Sequence, residues 1–124
     1  MTPHQQMVIR GADGHGAPGL PCKACHHAAN DAESGVLGNV AWRLAPASMV
    51  WTGRSLGEIC RQVKDPAKNG NLDKAALLKH VSENKLVGWA WAPGGKRTPA
   101  PGTQAEFGAL MRAWFESGVV CPAE

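Results

Sequence analysis

Fifteen glycines and nine prolines interrupt a 124-residue chain that has two Phe and no Tyr, and this limits the fold before any motif is read. Gly and Pro at that density hold much of the backbone in turns and loops. The chain is still apolar enough to fold, at 44% hydrophobic residues, and its length fits one domain. What it lacks is bulk. Its own side chains make a thin core for so much loop, a deficit that a buried prosthetic group would repair. The five Trp suit such a group.

Residues 1–20 read as an irregular leader, punctuated through "GADGHGAPGLP", and residues 21–124 as a single domain. Residues 22–30 suit a short helical turn or two, and 31–51 read as loop, with "LAPASMVW" its most apolar part. A helix is predicted from Ser55, because Ser55 and Glu58 have capping-box spacing. Leu56, Ile59, Cys60 and Val63 fall on one of its faces, and Pro66 ends it. "KNGN" at 68–71 is a turn. A second helix is predicted from about Leu72 to Asn84, with Leu77, Leu78 and Val81 inward. Residues 86–102 read as a long Trp-bearing loop. Thr103 and Glu106 open a third helix with the stripe Phe107, Leu110, Met111 and Trp114, and Gly118 is placed to cap it. No segment alternates as a strand does. The expected class is all-α: a small, loop-rich domain of about three main helices.

The formal charge is +3 and no run of Lys or Arg exceeds two residues, which argues against a phosphate-backbone partner. No stretch approaches the ~20 apolar residues of a membrane span. The start, "MTPHQQMVIRG", lacks the apolar core of a signal peptide. The chain therefore reads either as cytosolic or as the mature form of an exported protein with an added Met1, and the cysteines decide between these.

Cys22-Lys23-Ala24-Cys25-His26 matches C-x-x-C-H, the pattern of c-type haem attachment. Two thiols add to the vinyl groups on neighbouring edges of the porphyrin, and two intervening residues let the backbone span them. The next side chain, His26, then lies under the iron as proximal ligand. Two other readings compete. A zinc site needs two further ligands at similar spacing, and Cys60 and Cys121 are isolated. A redox dithiol belongs after a strand in a βαβ unit, whereas "GHGAPGLP" precedes this motif. In bacteria covalent haem attachment is periplasmic, in an oxidising compartment where Cys60 and Cys121 are expected to pair. That bridge closes a loop of about 60 residues, a stabilisation of about 4 kcal/mol by chain entropy. Two buried, reduced cysteines are the alternative.

The run "LAPASMVWTGRSLGEICRQVKDPAKNG", continued by "LLKHVSENKLVGWAWAPGGKRTPAPGTQAEFGALMRAWFESGVVCP", resembles a family of small bacterial c-type cytochromes often labelled "isoquinoline 1-oxidoreductase subunit". The resemblance covers nearly all of the chain from Pro21 onward, and "ICRQVKDPAKNG" and "PAPGTQ" are its most specific blocks. It implies a cytochrome c-like domain packed around one covalent haem, in an exported electron-transfer protein. Members often carry His after the Trp that precedes Leu-Ala-Pro; here Arg43 follows Trp42, so a distal ligand from that position is not open to this chain.

The sixth ligand then comes from Met49, Met111, His80, His27, His15 or His4. His27 is too close to His26 to cross the ring. His4 and His15 lie in the leader, and core packing explains Met111. His80, beside Leu77 on the second helix and matching a His position of the family block, is the first choice. Met49, in a Pro-containing apolar loop, is the alternative, and would raise the reduction potential relative to His. Arg43 or Arg54 suits a haem propionate. Lys23 and the pair Lys96-Arg97 suit an acidic redox partner, or plain solubility. The expectation is a periplasmic monohaem cytochrome c that shuttles single electrons and is not itself an enzyme. A haem subunit of a larger oxidoreductase, or a haem sensor or peroxidase-like protein with an open iron site, are the alternatives.

Overall fold

Both capping boxes form as their spacing predicts. The structure is a computed structural model and describes residues 10–17, 19–49 and 51–124. Helix α1, Leu56–Lys64, opens with the Ser55 hydroxyl accepting from the Glu58 amide while the Glu58 carboxylate accepts from the Ser55 amide. That bond and the Arg54 guanidinium, 3.0 Å away, hold the Glu58 carboxyl below its ordinary pKa. Asp65 ends α1 before Pro66, where proline would remove a helical donor. Helix α2, Lys74–Glu83, starts on the Asp73 side chain. Asn84 closes α2 and caps α3, Lys85–Gly88, with its side chain accepting from Leu86 and Val87. Trp89–Trp91 continue as a 3-10 turn. Helix α4, Gln104–Glu116, has the Thr103–Glu106 box. It ends as expected at Gly118, whose φ of 98° suits glycine. Gly118 N–H donates to Phe115 and Val119 N–H to Trp114, the Schellman arrangement.

The described residues form two units, one ending at Ala45 and one running from Pro46 to Glu124. The first departs from the all-α expectation. Strands β1, Gly16–Ala17, and β2, Leu20–Pro21, form an antiparallel hairpin with Gly16 opposite Pro21 and Ala17 opposite Leu20. Two residues per strand are too few to show alternation. The stretch read as leader is also tied down: Leu44 donates to Gly14, and the Arg10 guanidinium to the Ala45 carbonyl. A 3-10 turn, Cys22–Ala24, follows β2 directly.

In the second unit α2 packs on α4 and on α3. The crossing with α4 uses its small-residue side: Gly108 is buried, and a Cβ there would run into the Ser82 side chain. The Gln104 amide donates to the carbonyls of Val81 and Asn84, closing the end of α2. Phe107 and Leu110 of the expected stripe consequently stand exposed, Leu110 at 69%. The second correction concerns 86–102: its first part is helical rather than loop, because the Asn84 cap restarts the helix.

Helix α1 is held differently. The C-terminal tail lies along it, with a disulfide joining Cys60 to Cys121, Lys64 donating to Val119 and Arg61 to Pro122. Asn69 then ties the end of α1 to the turn that leads into α2. It is 6% exposed; its amide nitrogen donates to Val63 and Leu72, and its carbonyl oxygen accepts from the Leu72 amide. Asn69→Ala breaks three bonds and strands buried backbone groups, a loss of about 3 kcal/mol that denaturant unfolding will measure. Among the described residues the buried hydrophobics are Leu77 and Val119, a small core for this length.

Candidate functional site

The Cys22–His26 segment is built by hydrogen bonds around the 3-10 turn. Cys22 N–H donates to the His15 carbonyl at 2.8 Å, which fixes where the motif leaves the hairpin. The Cys22 carbonyl accepts from Cys25 at 3.2 Å and from His26 at 2.9 Å. Cys22 is half-buried and Cys25 exposed, and neither is in a disulfide.

His26 is half-buried, and its ring is gripped from residues 37–42. Its Nδ1 lies 2.5 Å from the Leu37 carbonyl oxygen. A carbonyl can only accept, so Nδ1 carries the proton, and a neutral imidazole then has its lone pair on Nε2. This second contact is characteristic of histidines that ligate metals through the other nitrogen. The Trp42 indole stacks beside the imidazole, with ring centroids 4.9 Å apart and planes tilted by 30°. Its N–H donates to the Gly38 carbonyl at 3.2 Å.

The segment is stitched to the motif. Asn39 N–H donates to the His27 carbonyl and Gly38 N–H to the Asn30 side chain. Gly38 is buried, and a Cβ on it would run into the Ala29 carbonyl oxygen and lie 2.5 Å from that of His27. Only glycine allows that approach. Neither Leu37 nor Trp42 is identified as part of the site by the sequence. The one local signal is the turn pair Gly38-Asn39, with Asn39 at φ 68°, which marks where the chain reverses.

The other candidates are placed as follows. His27 is exposed, with Nε2 3.0 Å from the Ala24 carbonyl oxygen. His15 is exposed and pairs with Asp13 at 3.3 Å. His4 lies outside the described residues. In the second unit His80 is exposed in the last turn of α2. Met49 is half-buried, its amide donating to Pro46, and Met111 is half-buried on α4. Arg54 is engaged by Glu58, while Arg43 is exposed. Arg97 donates to the Pro93 carbonyl, and Lys23 and Lys96 are exposed.

This geometry bears on the rival chemistries. Among the described residues no three or more His, Cys, Asp or Glu side chains gather as a metal-ligand group, as a zinc site would require. The motif does follow a strand, but one in a two-residue antiparallel hairpin leading into a 3-10 turn, which is not the βαβ setting of a thioredoxin-like dithiol. The residues do fit a covalent haem: two reduced cysteines spaced by two residues, and a histidine with its tautomer set for ligation through Nε2. No helix of the described residues is long and apolar enough to cross a membrane. Comparison with protein-family models, with curated proteins and with solved structures returns no match.

Proposed function

We propose that this chain is a monohaem c-type cytochrome that carries single electrons between protein partners. The observation that carries the reading is the His26 ring itself, whose Nδ1 is committed to the Leu37 carbonyl beside two thiols outside any disulfide. Haem bound there would supply reversible one-electron exchange between ferrous and ferric iron. Cys22 and Cys25 would hold it through thioethers, and His26 would be its proximal ligand. The resemblance of the chain from Pro21 onward to small bacterial cytochromes supports the same reading. The Cys60–Cys121 disulfide suits export to the periplasm, an oxidising compartment. Lys23 and Lys96, both exposed, would favour an acidic partner.

For the sixth ligand the proposal is His80, with Met49 as the alternative. Residue 43 adjoins Trp42, which stacks on His26. Arg43 stands where the family often has His, so that position supplies no imidazole here. His80 is exposed in the last turn of α2.

The test is the absorption spectrum of the full chain made in a host that matures c-type haem. The expected protein is red, low-spin in both oxidation states, and lacks the weak far-red ferric band of thioether ligation. His80→Ala then opens the iron to carbon monoxide, whereas Met49→Ala leaves the spectrum unchanged. A far-red band that Met49→Ala abolishes moves the ligand to Met49. Carbon monoxide binding by the unaltered reduced protein favours a sensor or peroxidase-like site, and a colourless protein overturns the whole reading.

A further inference from the structure

We propose that Trp42 is a positioning residue for the His26 imidazole and, through it, a determinant of the reduction potential. The inference rests on the reading of His26 as an iron ligand. Two contacts on this ring come from one short segment. Leu37 holds its edge through the carbonyl on Nδ1; Trp42 lies beside its face at 4.9 Å. The indole is anchored in turn, because its N–H donates to the carbonyl of Gly38, the residue that follows Leu37. The Leu37 carbonyl and the Trp42 ring are therefore placed by one turn, which Asn39 N–H and the Asn30 side chain hold against residues 27–30.

The energetic consequence has a sign. A hydrogen bond from Nδ1–H to a carbonyl raises the basicity of the opposite nitrogen, and a more basic axial ligand favours ferric iron. The indole limits rotation about the Cβ–Cγ bond of His26 and so keeps Nδ1–H aligned with the Leu37 oxygen. Without the indole that bond lengthens and bends, the ligand becomes less basic, and the potential rises. A branched aliphatic side chain in its place still excludes water but offers neither a flat face nor an N–H.

Trp42→Leu and Trp42→Phe are to be compared with the unaltered full chain, each made in the haem-maturing host. Intact mass reads covalent haem, a redox titration reads the potential, and electron paramagnetic resonance of the ferric form reads the orientation of the axial ring. Both variants are expected to carry covalent haem. Trp42→Leu is expected to raise the potential and to spread the single low-spin signal into more than one. Trp42→Phe, which keeps a ring but loses the tie to Gly38, is expected to shift the same way by less. Haem-loaded Trp42→Leu with the unaltered potential and signal overturns the inference while leaving the haem reading intact. If Trp42→Leu does not mature, Trp42→Phe decides, and identity with the unaltered protein in both readouts overturns it. Absence of haem from the unaltered chain is a different failure, that of the proposed function.

Discussion

Replacing Cys22 and Cys25 together by Ser is expected to remove covalent haem completely. The variant, made in a haem-maturing host, should show the mass of the polypeptide alone and no haem stain on a denaturing gel, where the unaltered chain keeps its colour. The physical reason is local. Cys22 opens the 3-10 turn Cys22–Ala24 and Cys25 follows it, and the two are the free cysteines of the chain, since Cys60 and Cys121 are joined to each other. A serine hydroxyl is near isosteric but does not add to a vinyl group as a thiol does. The effect should extend to stability. With Leu77 and Val119 as the buried hydrophobics among the described residues, a covalently held porphyrin would contribute apolar contact in the folded state that the chain does not supply. The variant should therefore unfold at lower temperature than the haem-loaded protein by far-ultraviolet circular dichroism. Covalent haem surviving in the double variant would place attachment elsewhere and overturn the roles given to both cysteines.

The parts of this structure that were legible in the sequence are those set by neighbours in the chain. Ser55 with Glu58 and Thr103 with Glu106 form boxes within one helical turn, and Gly118 ends α4 through its own φ. Cys60 and Cys121 could be paired on chemistry alone, because two cysteines were left over in a chain read as exported. The spacing of Cys22 and Cys25 is local in the same way, and both stay outside any disulfide.

What sequence reading missed depends on contacts between distant segments, or on atoms that carry no residue identity. The Leu37 carbonyl that fixes His26 is a backbone acceptor, and any residue at position 37 would offer one. Trp42 drew notice only as the neighbour of Arg43, since stacking on His26 requires the reversal at Gly38-Asn39. Phe107 and Leu110 read as inward because they are apolar and periodic, but α2 approaches α4 where Gly108 lets the backbones come close, and the bulky side chains are left outside. Asn84 read as the end of a helix and is also the start of another. Asn69 read as one letter of a turn, whereas its burial and three hydrogen bonds tie the end of α1 to the turn that leads into α2.

Opening the Cys60–Cys121 bridge is expected to have the largest effect on the polypeptide fold itself. The two residues are 61 apart in sequence with Cα atoms 5.7 Å apart. Closing a loop of that length stabilises the folded state by about 4 kcal/mol in the chain-entropy account. The loss should also be unevenly distributed. The substantial helix packing in this unit is α2 on α4 and on α3, while α1 is held by the tail through the bridge, the Lys64–Val119 and Arg61–Pro122 hydrogen bonds, and the exposed Arg61–Glu124 pair. An exposed ion pair contributes at most about 1 kcal/mol, and a nine-residue helix is marginal without tertiary support. Cys60→Ser with Cys121→Ser should therefore lower the unfolding free energy by about 4 kcal/mol in denaturant titration. Amide exchange should accelerate across Leu56–Lys64 well before it does in Gln104–Glu116. Uniform acceleration in both helices would mean that α1 is held by packing rather than by the bridge. An unchanged midpoint would show that the tail bonds alone suffice.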